Sequence, residues 1–270
     1  MTSATAAIVL DEVTFRRQDR EILRGVSVRV GRGEHWVVLG PNGAGKSTVL
    51  GMCGARTFPT SGTIDLLGHR MGRVELQALR RRIGHVDPRL PLRPALTIAQ
   101  VVFTGLTGNT DLPMRWHPTE VQQQRVAKLI ELLGLGGMAS ARWGDLSQGE
   151  RGRALIARSL VAEPALMLLD EPSTGLDVAA REQLIDTIDG LARSHADLAS
   201  VLVTHHLEEV PETTTHALLI SHGRVVAAGL VEEVLTTEHV TAAFEHPITV
   251  ERQDGRWLAR TRRALATVAS

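Results

Sequence analysis

Nine consecutive residues carry the clearest chemistry: Gly40-Pro41-Asn42-Gly43-Ala44-Gly45-Lys46-Ser47-Thr48. The spacing Gly40-x4-Gly45-Lys46-Ser47 fits GxxxxGK[ST], the pattern of a loop that cradles phosphates. Gly40, Gly43 and Gly45 let the backbone turn so that successive N–H groups point at one centre. A helix beginning at Lys46 adds its positive end. Lys46 supplies a point charge for the β- and γ-phosphates, and Ser47 an oxygen for Mg²⁺. The loop therefore implies binding of ATP with Mg²⁺.

Four further stretches follow in order: Leu146-Ser147-Gln148-Gly149-Glu150, Leu166-Met167-Leu168-Leu169-Asp170-Glu171, Ser173-Thr174-Gly175-Leu176-Asp177 and Thr204-His205. Together with the phosphate loop they resemble the ATP-binding-cassette (ABC) family over about residues 8–240. They are similar to its signature, Walker B strand, D-loop and switch histidine. Physically, Asp170 would emerge at the C-terminal end of a buried strand, where α/β sheets bind ligands, and could hold Mg²⁺. Glu171 beside it could orient or deprotonate the attacking water, and His205 could contact the γ-phosphate. The resemblance implies that Ser147, Gln148, Gly149 and Glu150 act in trans, on ATP held by a second cassette. Asp177 would couple the two sites, so the chain is expected to pair with a copy of itself or a paralogue.

Two positions depart from the family pattern. Arg17 stands where an aromatic ring usually stacks on adenine, and a planar guanidinium can also stack on a base. After Gly84-His85-Val86, Asp87-Pro88-Arg89 replaces the usual glutamine loop, with Pro88 in the glutamine's place and Asp87 available as an indirect Mg²⁺ ligand. Together with Gly33-Glu34-His35-Trp36, these departures resemble a bacterial branch grouped with molybdate-type transport ATPases.

The elements that position these residues alternate. Strands are expected at Ile8–Phe15, Ile22–Val30, His35–Leu39, Thr63–Leu67, Ile83–Val86, Leu166–Leu169 and Ser200–Val203. Helices are expected at Ile98–Thr104, Glu120–Leu133, Gly149–Ala162 and Val178–Arg193, besides the one starting at Lys46. Hairpins are expected at Ala217–Ala227 and, with a turn at Asp254-Gly255, at Ile248–Arg260. Buried strands alternating with helices predict an α/β P-loop fold with a mostly parallel sheet. The resemblance adds an antiparallel β subdomain. A helical insertion occupies about residues 90–143, the cassette about 1–240, and a C-terminal β-hairpin extension about 241–270.

Composition narrows the function classes. The 270 residues carry 30 basic and 30 acidic side chains, and a balance of this kind is unlike a general nucleic-acid binder. Arg80-Arg81-Arg82 reads as a solvated helix face. A single cysteine, Cys53, excludes an intrachain disulfide and reads as a buried thiol. His205-His206 lacks metal-ligand spacing. The N-terminus lacks the basic region of a signal peptide, and no apolar run is long enough to span a bilayer. The expectation is an ATPase, the energising subunit of a membrane transporter, cytoplasmic and held at the inner face of the plasma membrane by an integral permease. The competing expectation, a soluble ABC ATPase of DNA repair or the ribosome, fits less well: there is one cassette and no long coiled coil.

Overall fold

The computed structural model describes residues 6–261. Strands β1 (Ala6–Arg17) and β2 (Arg20–Gly31) form a hairpin, followed by β3 (His35–Leu39) and helix α1 (Lys46–Cys53). β4 (Ser61–Leu66) and β5 (His69–Arg70) complete a four-stranded antiparallel sheet in the order β2-β1-β4-β5. Then come α2 (Leu76–Arg81), β6 (Ile83–Val86), α3 (Ile98–Thr107), α4 (Glu120–Leu132) and α5 (Gln148–Leu160). β7 (Leu166–Asp170), α6 (Val178–Ser194), β8 (Ala199–Val203), β9 (His216–Ser221) and β10 (Arg224–Leu230) close the core. Two short helices, α7 (Val231–Val234) and α8 (Thr237–Phe244), lead to the hairpin β11 (Ile248–Gln253) and β12 (Arg256–Thr261).

The core sheet has six strands in the order β10-β9-β3-β8-β7-β6. Its β9, β3, β8, β7 and β6 are parallel, and β10 is antiparallel at one edge. Both faces are covered, which explains why its strands are apolar at successive positions. Along β3, Trp36 and Val38 pack with α1 and the antiparallel sheet, while Val37 and Leu39 pack with the helices of the opposite face. β7 divides in the same way, Leu166 and Leu168 against Met167 and Leu169. This is the expected α/β cassette architecture, with α3 and α4 in the inserted stretch.

Local chemistry sets the helix starts. Thr97 with Gln100, Thr119 with Gln122 and Ser147 with Glu150 form capping boxes at α3, α4 and α5. The hairpin turns at His222-Gly223 and Asp254-Gly255 have positive φ at both residues, the primed geometry that suits right-twisted strands. β5, α7 and α8 were not anticipated. β5 is two residues long, α7 four and α8 eight, too short for periodicity to reveal. The C-terminal hairpin is fixed to the body: Trp257 is buried in the larger apolar cluster, and Arg256 pairs with Glu182 at 2.7 Å. Of the expected extension, residues 262–270 lie outside the described residues.

Candidate functional site

The phosphate loop joins the C-terminal end of β3, an inner strand of the core sheet, to α1. Gly40 has φ +154°, and a Cβ there would lie 2.0 Å from the carbonyl oxygen of Ile220. At Gly45, φ +106°, a Cβ would lie 2.6 Å from Leu23. A side chain at either position would push the loop off β9 or β2. Lys46 is buried, and its Nζ donates to the carbonyls of Gly40 at 2.7 Å and Pro41 at 3.0 Å. Burial lowers its pKa, opposed by the carboxylates of Glu171 and Asp170. Asn42, Gly43, Gly45, Lys46, Ser47 and Thr48 line one cavity together with Glu171. Ala44 is buried beneath the loop, and its carbonyl accepts from Gly223 N at 3.1 Å.

Asp170 ends β7 and is buried. One carboxylate oxygen, Oδ2, pairs with Arg89, while Oδ1 is buried without a hydrogen-bond partner. Burial raises its pKa, and Arg89 partly offsets this. An orphaned buried carboxylate oxygen suits a hard cation such as Mg²⁺, so the donor set of Asp170 and Ser47 fits the metal that ATP brings. Glu171 follows in a left-handed conformation, φ 47°, uncommon for a residue with a Cβ. Its N–H donates to Val203 at 2.9 Å, and its carbonyl accepts from Thr174 N at 3.1 Å and Thr174 Oγ1 at 2.9 Å. The next turn of chain beyond β8 brings His205 Nδ1 to 3.3 Å from Glu171 Oε1. A cluster linking separate β7 and β8 loops was legible only as spacing in the sequence.

The remaining expected residues lie elsewhere. Ser147 caps α5: its N–H donates to Glu150 Oε2 at 2.7 Å, and its Oγ accepts from Glu150 N at 3.3 Å. Gln148 and Gly149 open the same helix. Asp177 caps α6, accepting from Ala180 N at 2.8 Å. Arg17 is exposed at the tip of the first hairpin, opposite Arg20 in the register. Arg20 and Ile22, not Arg17, line the cavity beside the phosphate loop. The structure also shows a residue that sequence reasoning passed over. Arg89 donates through Nε to Asp87 Oδ1 at 3.0 Å, so the loop lacking glutamine grips Asp170 with a guanidinium. Its signal was only the string Asp87-Pro88-Arg89 at a position where glutamine was expected.

The family model for ABC transporters matches residues 23–174, more than half of the chain. The chain belongs to the ABC transporter family. Over 93 % of its length the cassette is 40 % identical to YlmA, an uncharacterized ABC transporter ATP-binding protein of Bacillus subtilis, covering 96 % of that protein. It is 34 % identical to the methionine import ATP-binding protein MetN of Caulobacter vibrioides, over 82 % of the cassette and 65 % of MetN. Among solved structures, a dimeric bacterial ABC transporter cassette has the same fold, with a TM-score of 0.72 at 24 % identity, covering 83 % of this chain and 98 % of that one. The cassette is thus an ATP-binding protein of the transporter type. No described helix is long and apolar enough to cross a membrane.

Proposed function

We propose that the cassette hydrolyses ATP as one of two paired subunits that energise an integral membrane permease, held by that partner at the inner face of the plasma membrane. The observation that carries this reading is the convergence of Lys46 and Glu171 on one cavity, with His205 at 3.3 Å from Glu171. On this reading Lys46 exchanges its loop carbonyls for the β- and γ-phosphates. Ser47 and Asp170 hold Mg²⁺, which neutralises phosphate charge when bound. Glu171 accepts the proton of the attacking water, and His205 orients that water against the γ-phosphate. Adenine stacks at the hairpin tip that carries Arg17. Ser147, Gln148, Gly149 and Glu150 cover the γ-phosphate of a second copy, and Asp177 lies at the junction. The insertion at about 90–143 faces the permease, and the segment beyond about 240 serves as a structural appendage.

Glu171→Gln tests the catalytic assignment. It keeps the shape and removes the base, so turnover should fall about 10²- to 10⁴-fold while nucleotide affinity stays within about twofold. Undiminished hydrolysis would overturn the assignment. Retrieval of the tagged chain from detergent-solubilised membranes, with an integral membrane protein attached, tests the transport reading separately.

A further inference from the structure

The loop that carries His205 has a carbonyl that its own backbone cannot satisfy. The loop runs from Thr204 into a 3₁₀ turn at Leu207–Glu209, against which β12 lies. In such a turn the Glu208 carbonyl would accept from the N–H three residues on, but that residue is Pro211, which has none. The next N–H, of Glu212, donates instead to Asp189 Oδ2 at 3.3 Å. Arg256 of β12 fills the place from outside: its Nη2 donates to the Glu208 carbonyl at 2.6 Å.

The same guanidinium is anchored on α6. Its Nη1 donates to Glu182 Oε2 at 2.7 Å, and its Nη2 lies 3.5 Å from Glu182 Oε1. Glu182 stands in the second turn of the helix that Asp177 caps. Arg256 therefore joins the helix after Asp177 to the loop after His205. It is not the free end of a surface ion pair: its Nε is buried, and Trp257 beside it is buried in the apolar cluster that also holds Leu207 and Val210. The hairpin's turn is equally close, since a Cβ at Gly255 would lie 2.9 Å from Glu212 Oε1. On its inner side the loop is held by Thr204, whose Oγ1 accepts from His206 N at 3.1 Å and donates to the buried Glu209. His205 thus lies between an inner clamp at Thr204 and an outer one at Glu208.

We infer that Arg256 is a positioning residue for His205, and that the C-terminal hairpin, besides closing the fold, braces the His205 loop against α6. This rests on the reading of His205 as the residue that orients the attacking water. An imidazole has little reach of its own, so the loop backbone decides whether His205 meets Glu171 at 3.3 Å. A misplacement of about 1 Å can cost about 10²-fold in rate even when its origin lies far from the chemistry.

Arg256→Met keeps the apolar stem and removes the donors. Amide hydrogen exchange over residues 204–210 and ATP turnover are measured on the full chain, for this variant and for wild type. The N–H groups of Glu209 and Val210 donate to the His206 and Leu207 carbonyls. Their exchange should quicken at least about tenfold while β3 and β7 stay protected. kcat should fall about tenfold with KM for ATP within about twofold, and Arg256→Lys, which keeps a donor, should recover most of the loss. Unchanged exchange refutes the brace, whether or not the chain turns over. A loss of ATP affinity as large as the loss of kcat would mark a general structural defect and also refutes it. His205→Ala, run alongside, separates the two readings. If it lowers turnover and Arg256→Met does not, the positioning role alone is overturned. If it too leaves turnover unchanged, the role assigned to His205 is overturned, and the positioning role with it.

Discussion

Lowering the pH from 7 to 5 should destabilise this cassette through His85 in particular. The imidazole lies on β6 and is held at about 4 instead of its ordinary 6.5, first by burial and then by neighbouring guanidiniums. In this window the unfolded chain takes up a proton that the folded chain refuses. Stability is therefore complete above about 6.5 and is lost as pH falls toward 4. The full gap of about 2.5 pH units is worth about 3 kcal/mol, and about 2 kcal/mol of it falls between pH 7 and pH 5. For a chain of this size that is a melting shift of about 4–8 °C. The assay is thermal or urea unfolding at both pH values for the wild-type chain and for His85→Gln, which cannot titrate. The other ten histidines contribute equally to both proteins, so the difference between the two slopes isolates His85. Equal slopes within about 0.3 kcal/mol would refute the argument, because additivity between separate sites holds to about that level.

Three further outcomes follow from the same structure. Gly40→Ala places a Cβ 2.0 Å from the Ile220 carbonyl; binding of a fluorescent ATP analogue should weaken at least about tenfold while circular dichroism stays native, since displacements of about 1 Å can cost about 10²-fold. Arg89→Ala leaves both oxygens of the buried Asp170 without a partner. The free chain should lose about 1–3 kcal/mol, and Mg-ATP should raise its melting temperature more than it does for wild type, as no guanidinium then competes for the carboxylate. Cys53 is fully enclosed, and burial pushes its thiol up to about 12; a thiol reagent should leave it unmodified at pH 8 until denaturant is added, whereas rapid labelling of the native chain would show an open path to α1.

The fold and the site were legible to different depths. The core strands stood out because burial on both faces demands unbroken apolar runs, as in Leu166–Leu169, and the phosphate loop because only glycine tolerates the approach to Ile220. Helix starts were readable at Thr97, where a threonine precedes the apolar run and its capping partner Gln100 lies three residues on. Elements such as β5 and α7 were not readable, because they are held by neighbours and too short to show a period. At the site, sequence order predicted Asp170, Glu171 and His205 but could not disclose that Arg89 reaches Asp170. That contact spans 81 positions and depends on how β6 and β7 are paired. Nor could sequence order disclose that Arg20, across the hairpin tip from Arg17, lines the cavity beside the phosphate loop.

The position of β3 in the core sheet has a consequence for how the cassette is made. β3 leaves the ribosome long before its two neighbours, β8 and β9, which begin at Ala199 and His216. His35 pairs with Ser200 and Trp36 with His216, and Gly40 closes on Ile220. Loop closure over such separations is slow compared with local helix formation. The phosphate loop must therefore wait, without its flanking strands, until the chain has been synthesised through Ile220. A nascent chain arrested before Ile220 should have no competent ATP site, so nucleotide capture reports a finished core and cannot precede it.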